Sequence, residues 1–254
     1  MSTHPHKQPC HVALEKRTIE RVLLSMLPKA FAPDADAISR MVLMPAILQY
    51  AAPGRFYHGL DHLHECVASI PAWLFAFRES VNQDELEQTI WTMALGLLYH
   101  DVVYDPKAKD NEYRSAVTLL NNVKQYNAYA ASMGLPEMDP TGACRLIRLT
   151  THQALSEEPS ASEKVALDID LSGLGKDRHT FLKNERNIRL EFGHLSYEEW
   201  VDGRLKFINH FLKNRPTIFN TDHCRFGDAE NQARRNLEYL RNYYKSSRNF
   251  MRYL

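Results

Sequence analysis

Apolar residues recur at intervals of three and four along most of this 254-residue chain, and this spacing limits its fold more than any other feature. Strand-like alternation is nearly absent, only 10 glycines occur, and there is no internal repeat. Residues spaced in this way lie on one side of an α-helix, where they can be buried against other helices. The sequence therefore predicts an all-α fold.

Prolines and polar loops separate the predicted helices. The first is expected to end before Pro28, and the second to kink or break at Pro45, because proline lacks the N–H that the helix ladder needs. The segment 53–77 opens with a turn and continues as a helix, in which His58 and His62 share one face. The remaining predicted helices cover 84–101, a segment beginning near 111, 143–153, 164–175, 178–192, 197–214 and 228–245.

Length and linker composition favour a single domain. With 44% hydrophobic residues, a chain of this size can bury a large core without disulfides or structural metals. Residues 1 to about 11 are expected to be disordered, and no later segment is long and flexible enough to separate domains. We therefore expect one all-helical domain over residues 1–254.

Charge and cysteine usage exclude several classes of partner. Thirty-one basic residues balance thirty-one acidic ones, so no overall field favours a stable nucleic-acid partner or an anionic membrane. The four cysteines are scattered, which is typical of reduced thiols in a cytosolic protein. The N-terminus lacks the apolar core of a signal peptide, and no apolar run is long enough to suggest a membrane span. These features predict a cytoplasmic protein, and they leave its oligomeric state open.

The dipeptide His100-Asp101 stands where an apolar helix ends, in LGLLYHDVVYD. The apolar stripe of that helix would place the dipeptide at the inner end of a core helix. Spacing alone leaves one structural alternative, a capping pair that is hydrogen-bonded within the core. The stripe is predicted to bury Leu86, Ile90, Met93, Leu97 and Leu98.

Other metal-binding residue types lie on either side of this pair. Histidines precede it in YHGLDH, and carboxylates follow it in ALDIDL. Neutral imidazole and carboxylate together suit divalent manganese, iron, nickel, zinc or magnesium. The order His, His-Asp, Asp therefore predicts a divalent metal site and a metal-dependent enzyme.

Several sequence blocks resemble the HD superfamily of metal-dependent phosphohydrolases. They are YHGLDHLHE, LGLLYHDVVYDPKAKDNEYRSA, LIRLTTHQ, LDIDLSGLG, IRLEF and ENQARRNL, and they extend from about residue 55 to residue 240. More narrowly, the chain is similar to the largely uncharacterised bacterial branch of predicted HD phosphohydrolases. The resemblance implies an HD-domain-like helical bundle that hydrolyses a phosphoester of a nucleotide or another small phosphorylated metabolite through a metal-activated water.

The resemblance also implies the metal ligands. The family's first histidine corresponds to His62, its histidine-aspartate pair to His100 and Asp101, and its distant aspartate to Asp170. His58 is then expected beside the ligands or facing the substrate. Asp168 remains an alternative to Asp170, although two residues along a helix it would point elsewhere.

Further candidates lie close to these ligands in sequence. Asp105 and Glu112 are the candidate catalytic carboxylates, although Asp105 could equally form a turn and Glu112 could simply favour a helix N-terminus. Lys107, His152 and His58 are candidate substrate contacts. The alternatives are a solvated lysine and a core histidine.

Three other residues near the ligands have simpler expected roles. Asn111 is the expected helix N-cap, and Ser115 is expected to allow close helix packing. Arg55 is a further candidate to bind a phosphate.

Two other functions remain open. Some HD proteins are di-iron oxygenases, which need additional histidine ligands, and here His58 and His152 are the obvious ones. The other is a non-catalytic protein that binds or senses a nucleotide. The presence of all four candidate ligands argues against a sensing protein, because a protein that only binds a nucleotide has no chemical need for them.

Overall fold

The computed structural model describes residues 9–74, 83–152, 158–225 and 228–251, and regular secondary structure in these ranges is entirely helical. The predicted all-α class is therefore confirmed. The chain divides into two compact units, Met1–Glu158 and Pro159–Leu254. The single HD-like domain stays a prediction. Each helix in the described ranges is too short or too polar to cross a bilayer.

The first unit is built around long helices that follow the predicted segments. A 3-10 helix, Lys29–Asp34, precedes the helix Ala35–Ile38, and a π-helical turn, Ser39–Leu43, joins that helix to the helix Met44–Gln49. Pro45 is the second residue of the helix Met44–Gln49 and directly follows the π-helical turn, so the α-helical hydrogen-bond pattern changes next to this proline. The α-helices are α1 (Pro9–Leu24), α2 (Ala35–Ile38), α3 (Met44–Gln49), α4 (Leu60–Leu74), α5 (Gln83–Tyr99), α6 (Asn111–Met133) and α7 (Thr141–Leu149).

The start of α1 differs from the expected disordered N-terminus. The helix begins at Pro9, so residues 9 to 11 are helical, while residues 1 to 8 lie outside the described ranges. Proline suits the first turn of a helix, because its fixed φ matches the helix and its missing N–H would have no intrahelical partner there.

The second half of α5 forms the centre of the first unit. The helix packs against α4, α6 and α7. A Cβ atom added to Gly96 would overlap the side chain of Leu146, so this glycine allows α5 and α7 to approach closely. Ile90 is half-buried, contrary to the prediction, because the neighbouring Trp91 takes the inward position at that turn. The other predicted core residues are buried: Leu86, Met93, Leu97 and Leu98.

The second unit consists of helices with well-defined N-caps. Ser160 and Ser196 form capping boxes at the starts of the helices α8 (Ala161–Asp170) and α10 (Tyr197–Asn209), and Asp177 caps the helix α9 (Arg178–Glu191). A 3-10 turn, Leu171–Gly175, follows α8, and a π-helical turn, His210–Asn214, continues α10 to its predicted end. The sequence did not predict the short α11. The α-helices are α8 (Ala161–Asp170), α9 (Arg178–Glu191), α10 (Tyr197–Asn209), α11 (Asp222–Arg225) and α12 (Asp228–Met251).

Candidate metal centre

Two helices of the first unit bring together three of the predicted ligands. His62 is the third residue of α4, and His100 and Asp101 directly follow the last residue of α5. Because α4 packs against α5, the histidine of one helix reaches the end of the other. Both histidines are buried, and the Asp101 side chain is 15% exposed.

The ligand atoms of these side chains converge. Nε2 of His62 lies 3.2 Å from Nε2 of His100, and Nε2 of His100 lies 3.0 Å from Oδ2 of Asp101. The third separation, from Nε2 of His62 to Oδ2 of Asp101, is 3.9 Å. Two imidazole nitrogens and a carboxylate oxygen at such distances could hold one divalent cation.

The other nitrogen of His100 is bonded to a backbone carbonyl. Nδ1 of His100 lies 2.7 Å from the backbone carbonyl oxygen of Leu97. A carbonyl only accepts hydrogen bonds, so Nδ1 carries the proton that it donates. In the neutral ring, Nε2 then presents its lone pair toward His62 and Asp101, and this is one of the two tautomers in which a histidine can bind a metal.

His58 does not lie on the helical face predicted for it. Helix α4 begins at Leu60, so His58 belongs to the preceding turn. Its ring stacks on Tyr104, with ring centroids 4.3 Å apart and an interplanar angle of 27°. It also lies edge-on to His62, at 5.9 Å between centroids. The structure thus places His58 beside a predicted ligand, and its contact with substrate stays a prediction.

Arg55 connects the turn before α4 with the segment after α5. Its Nη1 atom donates hydrogen bonds to the carbonyl oxygens of Asp101, at 2.6 Å, and His58, at 3.2 Å. Its Nη2 atom donates to the carbonyl oxygen of Val102 at 2.8 Å. Arg55, the candidate phosphate contact, therefore donates its hydrogen bonds to backbone carbonyls of the two segments that carry the predicted ligands.

Two buried tyrosines anchor the end of α5. The Tyr50 hydroxyl oxygen accepts a hydrogen bond from the backbone N–H of Asp101 at 3.1 Å. Burial raises the pKa of Tyr50 to about 12, so its hydroxyl stays protonated near neutral pH. Tyr99 donates to the carbonyl oxygen of Val42, in the π-helical turn, at 2.6 Å and accepts from Asn122 at 2.8 Å. These bonds fix the backbone on both sides of His100.

The opening turns of α6 hold the loop that follows Asp101. The Ser115 hydroxyl accepts the backbone N–H of Val103 at 3.1 Å, and the Asn111 side chain bonds both backbone groups of Asp105. Asn111 was expected to be the N-cap, but Asp110 holds that position, because the Asn111 amide is turned toward the loop. The DNEYRSA block therefore has a local role in shaping this loop.

The remaining candidates of the first unit lie in turns and at helix ends. Asp105 is exposed, and its carboxylate accepts the backbone N–H of the exposed Lys107 at 2.9 Å, which is the turn-forming arrangement. Glu112 is half-buried in the first turn of α6. His152 follows α7 with a φ of 53°, a conformation that non-glycine residues rarely adopt. Their roles in catalysis and substrate binding stay predictions.

The two aspartates of α8, in the second unit, have different surroundings. Asp168 is fully buried and accepts four hydrogen bonds of 2.7 to 2.8 Å from the backbone and side chains of Asn220 and Thr221. These four bonds use the capacity of its carboxylate. Asp170 is the last residue of α8 and is half-buried. Asp168 therefore has a structural role, which favours Asp170 as the aspartate that the resemblance implies.

The supporting residues were harder to predict than the ligands. In the sequence, nothing local marks Tyr50 or Tyr99 as a supporting residue, and Arg55 is predicted only as a phosphate contact.

Comparisons of the chain with models of protein families, with curated proteins and with solved structures found no match.

Proposed function

We propose that this protein is a metal-dependent phosphohydrolase that acts on a phosphoester of a nucleotide or another small phosphorylated metabolite. The observation that carries the proposal is the convergence of Nε2 of His62, Nε2 of His100 and Oδ2 of Asp101 within 3.9 Å of one another. The donor set fits manganese, iron, nickel, zinc or magnesium. When bound, such an ion lowers the pKa of water and offsets the charge of phosphoryl oxygens.

The chain's own residues have distinct tasks in this proposal. His62, His100 and Asp101 hold the ion, and the carbonyl of Leu97 keeps the lone pair of His100 directed toward it. Asp105 and Glu112 are the proposed acid-base groups, because Asp105 lies four residues past Asp101 in the following loop and the resemblance favours Glu112, in the first turn of α6. The fourth ligand proposed from the resemblance is Asp170.

Elemental analysis of protein purified without chelator tests the metal site. We expect His62→Ala, His100→Ala and Asp101→Ala each to lose most of the metal, and Asp170→Ala to lose part or all of it. His64→Ala is the matched control, because His64 lies on the same helix as His62 but is exposed. Unchanged metal content in the first three variants would contradict the proposed ligands.

An activity assay tests the reaction class. We expect the metal-loaded protein to release phosphate from members of a panel of nucleotides, sugar phosphates and chromogenic phosphoesters under anaerobic conditions, and His100→Ala to release none. Oxygen consumption by an iron-loaded protein that hydrolyses no phosphoester would instead favour the di-iron oxygenase. Ligand binding without turnover would favour the sensing protein.

A further inference from the structure

Arg55 is bonded to backbone rather than to another charged group. Its three acceptors are the carbonyl oxygens of His58, Asp101 and Val102, at 2.6 to 3.2 Å. His58 lies in the turn that leads into α4 and His62, whereas the other two carbonyls belong to the segment after α5. One guanidinium group therefore joins the two chain segments that carry the three converging ligands.

The surroundings of Arg55 suit a fixed guanidinium group. Its Cζ atom lies 5.1 Å from the ring centroid of Tyr50 and 5.6 Å from that of Tyr104. Both rings can attract the cation through their π faces. The two acceptors after α5 are carbonyls at a helix C-terminus, where positive charge is favourable. The planar group bridges separate carbonyls from two nitrogens, which the single ammonium of a lysine cannot reproduce.

The hydrogen bonds of Arg55 hold the backbone segments that carry the predicted ligands. The 2.6 Å bond to the carbonyl of Asp101 fixes the backbone of a ligand, and the bond to the carbonyl of His58 fixes the entry to the helix that presents His62. A cation placed this near a divalent metal would weaken metal binding by repulsion alone. Its benefit must therefore come from holding the ligands in place.

We propose that Arg55 is a positioning residue that sets the separation of the His62 and His100-Asp101 ligands before metal binds. This inference rests on the proposed function, because it requires that these side chains hold a metal. Residues that orient metal ligands typically change metal affinity about 10- to 100-fold when they are replaced. Loss of Arg55 should act in this way while the helices remain folded.

Calorimetric titration of the chelator-treated protein with Co²⁺ tests this proposal. We expect Arg55→Ala to weaken Co²⁺ binding about 10- to 100-fold, with an unchanged far-ultraviolet circular dichroism spectrum. Arg55→Lys should recover little affinity, although it keeps the charge. Arg114→Ala is the matched control, because Arg114 is an exposed arginine of the same unit whose ion pair with Asp110 spans 3.9 Å.

Chemical rescue separates positioning from a general loss of stability. Guanidinium at millimolar concentration should restore part of the Co²⁺ affinity of Arg55→Ala, but none in His100→Ala. A folded Arg55→Ala or Arg55→Lys variant that binds Co²⁺ as tightly as wild type would overturn the proposal. If Arg55→Ala does not fold, the Co²⁺ affinity of Arg55→Lys alone tests the proposal.

Failure of the proposed function gives a different result. In that case wild type and His100→Ala bind Co²⁺ equally, or neither binds it, and both proposals are overturned. Failure of the Arg55 proposal alone leaves the difference between wild type and His100→Ala intact and removes only the difference between wild type and the Arg55 variants.

Discussion

The carbonyl oxygen of Leu97 and Nδ1 of His100 lie 2.7 Å apart, so the helix end that carries this histidine also decides which of its nitrogens faces His62. Leu97 itself is fully buried in the centre of the first unit. The orientation of the candidate ligand is therefore tied to the packing of α5. A ligand on a rigid helix end is held more accurately than one on a free loop.

Replacing His100 with asparagine should separate ligand loss from loss of structure. The asparagine amide can still donate to the Leu97 carbonyl from a position near that of Nδ1, but it has no atom in place of Nε2. We expect His100→Asn to lose its metal and to be destabilised by only about 1 kcal/mol, and His100→Ala by about 2 kcal/mol more, because alanine also leaves a cavity. Metal analysis and urea unfolding of metal-free protein provide the measurements. Normal metal content in His100→Asn would rule out Nε2 as a ligand atom.

Ser115→Ala should weaken the loop that follows Asp101. The substitution leaves the part-buried backbone N–H of Val103 without the Ser115 hydroxyl, which should cost about 1 kcal/mol, the lower end of the range for an unpaired donor. Ser132→Ala, on the exposed face of the same helix, should cost less than about 0.5 kcal/mol. The free energy of unfolding in urea measures both effects. Equal losses in the two variants would show that the bond to Val103 adds no stability.

The sequence predicted most helices because their stabilisation is local and periodic. Helix α6 begins at Asn111, within the predicted region but one residue before the start that an Asn111 N-cap would give. The π-helical turn after α10 ends at residue 214, where the apolar pattern stops. The short α11 was missed because four residues are too few to show a period. His58 was predicted to lie in α4, but the helix begins two residues later, at Leu60. The four-residue spacing of His58 and His62 does not by itself locate the first residue of a helix.

The candidate site divides into a predictable part and an unpredictable part. A candidate metal site at His100-Asp101 could be predicted because the residue types and their order indicate metal chemistry, and the resemblance selected His62 among the upstream histidines. The contact of Arg55 with Asp101 spans 46 residues and involves a carbonyl, a group that every residue has. No residue type marks such a partner, so only the packed structure reveals it.

Asp168→Asn should destabilise the second unit strongly. Asp168 accepts hydrogen bonds from two backbone N–H groups and two side-chain donors of Asn220 and Thr221, and an amide would turn an NH₂ group toward two of these donors. We expect a loss of about 3 kcal/mol in urea unfolding. Asp228→Asn, an exposed aspartate in the first turn of α12, should lose less than about 1 kcal/mol. A neutral result for Asp168→Asn would reopen its candidacy as the distant ligand.

Thr141→Val should destabilise the first unit in a pH-dependent way. The Thr141 hydroxyl and the Thr141 backbone N–H both donate hydrogen bonds to the Asp139 carboxylate. These bonds, the hydroxyl's first and the N–H's second in size, lower the pKa of the Asp139 carboxyl below its usual 3.8. Because the folded-state pKa is the lower one, this stabilisation is present above the unfolded-state pKa and disappears as the pH falls through the folded-state pKa. The stability difference between wild type and Thr141→Val should therefore be larger at about pH 7 than at about pH 3. Thr118→Val, whose hydroxyl bonds a carbonyl instead, should show a difference independent of pH.

Three thiols of the folded protein, those of Cys66, Cys144 and Cys224, should react slowly with a disulfide reagent. Burial raises the pKa of Cys144 to about 11 and that of Cys224 to about 12, and Cys66 is 1% exposed. For Cys144 the pKa rises from 9.0 to about 11, so at about pH 8 its reactive thiolate is about a hundredfold scarcer than in an unperturbed thiol. In a Cys10→Ser background, we expect three thiols to be labelled rapidly in urea and each to be labelled far more slowly in the native state. A native rate close to the unfolded rate for any of them would mean that its surroundings open readily, and single Cys→Ala variants would identify which thiol reacts.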